Sequence, residues 1–207
     1  MLYCYKIMRD FGFAPNPFHG VCTLATCKPD IRDRACVGDW VAGFGGQGTN
    51  FPEKMVFIMR VDEKITYDDY WNDMRFACKK ARFDKSIKYC YGDNIYHHSL
   101  IDGEWVQENS HHSYASGINY KNLEHDTRIN NVLVSDTYMY FGDEAIEVPE
   151  KFSGIIPRCR NYTKITDEII IEQFVDWLYK NYNAGQQGLP FSWGKEVGFA
   201  RFKGERV

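Results

Sequence analysis

Short apolar, β-compatible runs separated by turn residues open the chain. Residues 3–9 form a mostly apolar run that stops at Asp10, and Gly12, Pro15, Asn16 and Pro17 then mark a structured loop. Residues 20–27 resume the pattern and stop at Lys28-Pro29; residues 37–44 follow and leave through Gly45, Gly46 and Gly48. Residues 54–61 are apolar almost throughout, as in a strand covered on both faces. Four strands with no long helix between them favour antiparallel or mixed pairing over βαβ repeats.

The periodicity changes at Thr66. Asp69, three residues on, completes a capping signal, and Tyr67, Tyr70, Trp71 and Met74 recur at helical spacing. Asp102-Gly103, between residues 95–100 and 104–107, predicts a hairpin. Residues 108–126 read as a polar loop carrying His111, His112 and His125, residues 129–135 and 138–141 as further strands, and 144–160 as an irregular connection. The clearest helix starts at the cap Thr166, carries Ile170, Phe174, Trp177 and Leu178 on its apolar face, and ends near Asn183 and Gly185. The Gly-rich, aromatic remainder from Gln186 is expected to drape over the domain. The pattern predicts one α+β domain over residues 1–207. Its strand-rich, barrel-like mixed or antiparallel core spans about residues 1–160, with a C-terminal helix and tail over 161–207.

Composition then narrows the class. Hydrophobic residues at 44% and charged residues at 26% support a packed core, and aromatics at 16% leave rings to line a cleft. The 25 basic and 28 acidic residues sum to −3, so any nucleic-acid contact is local rather than global. No apolar run reaches the roughly 18–20 residues of a membrane span. The start lacks the layout of a secretion signal, so the seven cysteines read as reduced thiols in a cytoplasm.

Candidate chemistry lies mainly in loops. The stretch from Asp10 to Arg32 presents Asn16, His19, Lys28 and Arg32 near strand ends, and a Lys–Arg pair suits a phosphate. The glycine-rich segment after Gly38-Asp39 matches neither a phosphate-binding P-loop nor a dinucleotide fingerprint. Trp40 and Phe44 share one face at even spacing, where rings either stack on a base or fill the core. His97-His98 and His111-His112 lack zinc-ligand spacing, so no metal and no cofactor are expected. A loop histidine still suits general acid–base work. Cys27 beside Lys28 is the best candidate thiol nucleophile, since a neighbouring cation favours the thiolate; no Cys–His pattern accompanies it locally. Residues 75–88 hold Arg75, Lys79, Lys80, Arg82, Lys85 and Lys88 against Asp84, which reads as a nucleic-acid footprint or a solvated face.

Several stretches together resemble a known family. YKIMRDFGFAPNPFHGVCTLATCKPDIR, VGDWVAGFGG, VFIMRVDEKITYDDYW, YGDNIYHH with GEWVQENSHHS, and VLVSDTYMYFGDEA are similar to the nucleotide modification associated domain 2 family. The resemblance spans roughly residues 3–160 and implies a bacterial or phage setting of nucleic-acid modification or defence. A looser similarity, in the order of residues 37–44 and 55–61, is to base-binding barrels of the PUA, ASCH and EVE type.

The leading expectation is recognition of a modified base or nucleotide. Trp40, Phe44, Tyr96 and Tyr140 would line the pocket, Asn16, Asp39, Asp93 and Asn94 would read polar edges, and Lys28 and Arg32 would meet phosphate. The alternative is a base- or nucleotide-modifying enzyme, with His111 or His112 as acid–base and Asp10 or Asp93 as partner. A third is a protein-interaction module of a defence system. The partner would be the modified base or nucleotide, with nucleic acid touched through residues 75–88 and no membrane.

Overall fold

The chain is described by a computed structural model over residues 1–158, 161–195 and 198–201. In chain order the strands are β1 (Leu2–Ile7), β2 (Cys22–Leu24), β3 (Trp40–Gly45), β4 (Met55–Arg60), β5 (Glu63–Ile65), β6 (Tyr96–His98), β7 (Trp105–Gln107), β8 (Val132–Ser135), β9 (Tyr138–Tyr140), β10 (Tyr162–Ile165) and β11 (Gly185–Gln186). The α-helices are α1 (Pro29–Arg34), α2 (Tyr67–Asn72), α3 (Ile87–Cys90), α4 (Tyr120–Thr127) and α5 (Glu168–Asn181).

Strands β10-β1-β3-β4-β9-β11 form a six-stranded mixed sheet, parallel at β1/β3 and β9/β11 and antiparallel elsewhere. A second sheet, β2-β8-β5, is antiparallel, and β6/β7 make the expected hairpin. The fold is therefore α+β, strand-rich and mixed. The expected barrel-like closure is not found among the described residues: the large sheet has two ends, β10 and β11, and the second sheet packs on it as a separate layer.

Side-chain alternation explains the layering. Tyr3, Tyr5 and Ile7 of β1 face the second sheet, where they meet Leu24 and Leu133. Leu2 and Cys4, with Ala42, Phe44 and Ile58, point the other way and are covered by Ile171, Phe174 and Leu178 of α5. The outer face of the second sheet buries Val132 and Val134 against Tyr67, Tyr70, Phe76, Tyr96 and Leu123. The late helix is capped one residue beyond Thr166, because Asp167 accepts the amides of Ile169 and Ile170. Around α2 the Thr66–Asp69 capping box is present as expected.

Several expectations change. The predicted strand over 20–27 shrinks to β2, since Cys27 and Lys28 adopt left-handed backbone (φ 57° and 40°) and α1 follows at once. Residues 108–126 are not all loop: Asn119 accepts the Asn122 amide and caps α4. The late segment contains β10 and β11, and its residues 196–197 and 202–207 lie outside the described residues, as do 159–160 of the expected connection. The glycine run makes room for the chain itself, not for a ligand: a Cβ on Gly45 would sit 1.9 Å from the Phe51 carbonyl oxygen.

The basic run does not form one solvated face. Arg75 pairs with Glu63 and Asp73, Arg82 with Asp84, and Lys80 lies 3.6 Å over the Trp71 ring. Lys79 is fully buried and donates to the Asn16 carbonyl, the Asn16 side chain and the Val21 carbonyl. Its charge is balanced by buried Asp93, which accepts from the hydroxyls of Thr23 and Tyr70. Lys79→Met is expected to cost about 3–5 kcal/mol because it strands a buried carboxylate. Lys85→Ala should fall within about 0.5 kcal/mol of the parent, as surface substitutions do. Urea denaturation of both variants checks this, and equal midpoints would contradict it.

Candidate functional site

Cys27 sits where β2 has ended and α1 has not begun. Two successive left-handed non-glycine residues, Cys27 and Lys28, are costly, at about 1–2 kcal/mol each. Such backbone persists only when its surroundings over-determine it, and it concentrates at functional sites. Here the Cys27 amide donates to Asp126 Oδ1 at 2.8 Å, and the Cys27 carbonyl accepts from Arg32 Nε at 2.9 Å. The thiol is half-buried at the edge of the second sheet.

His112 comes from the loop between β7 and α4. Its carbonyl is fixed by Asn122 Nδ2 at 2.8 Å and Gln107 Nε2 at 3.3 Å. Its ring lies between two partners: Nδ1 is 2.7 Å from Asp126 Oδ2, and Nε2 is 3.8 Å from Cys27 Sγ. Asp126, on α4, is completely buried and also accepts from the Tyr96 hydroxyl at 3.0 Å. Thiol, imidazole and carboxylate thus stand in a row, the geometry in which a nucleophile, an acid–base group and an orienter can act together.

Arg32 fastens the frame. Its guanidinium donates to the carbonyls of Cys27, Asp126, Ile129 and Asn131 and to the Tyr67 hydroxyl. It is fully buried and its donors are spent on these backbone carbonyls and the Tyr67 hydroxyl. Arg32→Lys is expected to lower stability by about 1–3 kcal/mol for each buried carbonyl it leaves unpaired. Thermal unfolding of the variant checks this, and an unchanged midpoint would contradict it.

The two adjacent histidines are driven apart. Burial, reinforced by neighbouring His112, pulls His111 down to about 3. Burial also opposes charge on His112, but Asp126 and the Cys27 sulfur outweigh it and push His112 up to about 10. Asp126 resists burial in turn and is held below the usual carboxylate range, chiefly by His112. At neutral pH the ring beside Sγ is an imidazolium. His111, by contrast, is a neutral ring among Phe11, Phe13 and Tyr91, hydrogen-bonded to the Ala200 carbonyl.

The grouping also fits the chemistry of metal ligands, and its potential ligand atoms lie within 4.8 Å of one another. The 2.7 Å contact between His112 Nδ1 and Asp126 Oδ2 is a direct hydrogen bond, which leaves His112 Nε2 and Cys27 Sγ as the ligand atoms that face each other.

The other sequence candidates fall in separate places. Asn16 and Asp93 are brought together with Lys79 and Thr23 in one buried network: Asn16 Nδ2 donates to the Tyr91 carbonyl, and its backbone pairs with Thr23. Asn94 is buried and donates to the Tyr70 carbonyl. Asp10 and Tyr140 form a buried pair at 2.6 Å, where burial pushes Asp10 up to about 6 against that hydrogen bond. Asp39 accepts from the Met1 nitrogen and the Cys36 amide. Trp40 and Phe44 do share a face, but it is the one under α5, whereas Tyr96 joins the cluster through Asp126. A groove of about 430 Å³ lined by Lys88, Asp143, Glu144 and residues 186–189 shares no residue with the Cys27 cluster.

Asp126 was the residue that sequence reasoning passed over. Cys27, His112 and Asp126 are 85 and 14 positions apart along the chain, so no local motif marks them. The signal in the sequence is general: a cysteine beside a lysine, with His and Asp elsewhere.

The fold and the cluster define an α+β protein with a Cys–His–Asp cluster at the edge of its smaller sheet. The chain belongs to the nucleotide modification associated domain 2 family, whose model matches residues 1–197. No curated protein and no solved structure matches it. Among the described residues no helix is long and apolar enough to cross a membrane.

The ion pair makes a linkage prediction. His112 has a folded pKa near 10 against an ordinary 6.5, so its stabilisation is complete below about 6.5 and disappears as pH rises through about 10. Asp126, held low, contributes above its ordinary 3.8 and loses that contribution as pH falls. Chemical denaturation at pH 6 and pH 9.5 should show a larger loss in the parent than in His112→Asn. Equal losses would contradict the assignment.

Proposed function

We propose that the chain is an enzyme of nucleotide modification that works through a covalent intermediate on Cys27. The observation that carries this reading is the relay itself, with Sγ 3.8 Å from a histidine whose other nitrogen is 2.7 Å from a buried carboxylate. Family membership supplies the nucleotide setting.

The arrangement suits acyl transfer. The Cys27 thiolate attacks an acyl carbon, an S–C bond forms, and the carbonyl electron pair moves to oxygen. Collapse expels the leaving amine or alkoxide, which takes the proton from His112 Nε2. The thioester is then attacked by water or by an amine. His112 accepts that nucleophile's proton, and the Cys27 thiolate departs. Asp126 and Tyr96 hold the ring in register throughout.

Recognition of a modified base without turnover is the second reading. The half-buried rings of Phe11, Trp193 and Phe199 favour it. They gather around Tyr91 and His111 beside the relay, and base–aromatic stacking contributes about 1–3 kcal/mol per base.

p-Nitrophenyl acetate tests the first reading. A burst of p-nitrophenolate should accompany one acetyl group on Cys27, located by peptide mass mapping, and Cys27→Ser should abolish both. Absence of the burst, or acetylation first at exposed Cys36, would contradict it.

A further inference from the structure

Beside Cys27 a lysine is drawn inward with nothing of opposite charge to receive it. Lys28 is half-buried, and its ammonium lies 4.6 Å from the centroid of the Tyr5 ring. Among the described residues no carboxylate pairs with it and its nitrogen makes no hydrogen bond; burial lowers its pKa, and the titratable neighbour that acts on it is Cys27. Lysines rarely leave water without a partner.

Two buried hydroxyls share this condition. Tyr5 is 1% exposed and Thr26 is completely buried, yet neither hydroxyl has a hydrogen-bond partner among the described residues. Buried polar groups are nearly always satisfied, so an unpaired one calls for an explanation. Tyr5 underlies the Lys28 ammonium, and Thr26 immediately precedes Cys27. Arg32, the other cation of this stretch, is excluded from the same task because its guanidinium is spent on carbonyls.

A cation and hydroxyl donors that lack acceptors have the chemistry of an oxyanion site. We infer that Lys28, with Tyr5 beneath it, forms a subsite for an anionic oxygen group of the substrate, phosphoryl or carboxylate, next to the reactive sulfur. The inference rests on Cys27 being the nucleophile. It makes Lys28 a specificity-determining residue, acting on which substrate docks rather than on the relay.

Paired alkylating agents test it. Iodoacetate and iodoacetamide react at the same thiolate and differ in charge, so the ratio of their rates at Cys27 cancels the thiolate fraction. In the parent, the iodoacetate-to-iodoacetamide ratio at Cys27 should exceed that at exposed Cys36 by about tenfold, the yield of one charge-assisted contact. Lys28→Met should erase the excess while Cys27 still reacts with iodoacetamide. Tyr5→Phe, which keeps the ring and removes the hydroxyl, should reduce it severalfold, and it provides the test if Lys28→Met fails to fold.

Inorganic phosphate and acetate, added separately, should slow iodoacetate at Cys27, and whichever protects better identifies the group. An unchanged ratio in the folded variants, or protection by neither salt, overturns the subsite while leaving the nucleophile in place. Cys27 reacting with iodoacetamide no faster than Cys36 would instead overturn the reading on which the subsite rests.

Discussion

A single buried carboxylate organises the Cys27–His112 end of this protein. Asp126 accepts the backbone amide of Cys27, the ring of His112 and the hydroxyl of Tyr96, three donors from three distant stretches of chain. A carboxylate this deep is tolerated only when its oxygens are occupied and its charge is matched. Occupying Oδ1 holds Cys27 in left-handed backbone, and occupying Oδ2 turns His112 towards the sulfur. Local strain, ring orientation and charge placement thus follow from the same desolvation requirement.

The fold supplies those donors because each side chain emerges at an element boundary. Cys27 lies just past β2, Asp126 lies in the last turn of α4, and Tyr96 opens β6. Arg32 joins the carbonyls of Cys27 and Asp126 from α1, so the relay is braced through backbone as well as side chains. Behind it, the buried Lys79–Asp93 network ties the 16–23 loop to the segment that leads into β6. The two networks share no residue, which separates the part that maintains the loop from the part suited to chemistry.

Much of the scaffold was legible in the sequence and much of the site was not. The strands near residues 3–9, 37–44 and 54–61, the capping box at Thr66 and the late helix follow from patterns that local sequence dictates. Strand pairing was less accessible. Short alternating strands do not reveal whether a sheet closes, and here a second sheet covers the first where a barrel was expected. Trp40 and Phe44 illustrate the limit at the level of side chains: their common face was readable, but α5 as its cover was not. Lys79 looked like part of a basic surface because a sequence cannot show Asp93 waiting for it inside. Cys27 and His112 are visible singly, and only the tertiary fold brings them together with Asp126.

Cooperativity within the relay is the central claim, and a double-mutant cycle on the iodoacetamide reactivity of Cys27 measures it most directly. His112→Asn, Asp126→Asn and the combined variant are compared with the parent. If Asp126 acts through His112, the double variant reacts no more slowly than His112→Asn alone, a strongly non-additive result. Rate losses that simply multiply would show the two residues acting independently, and would contradict the account.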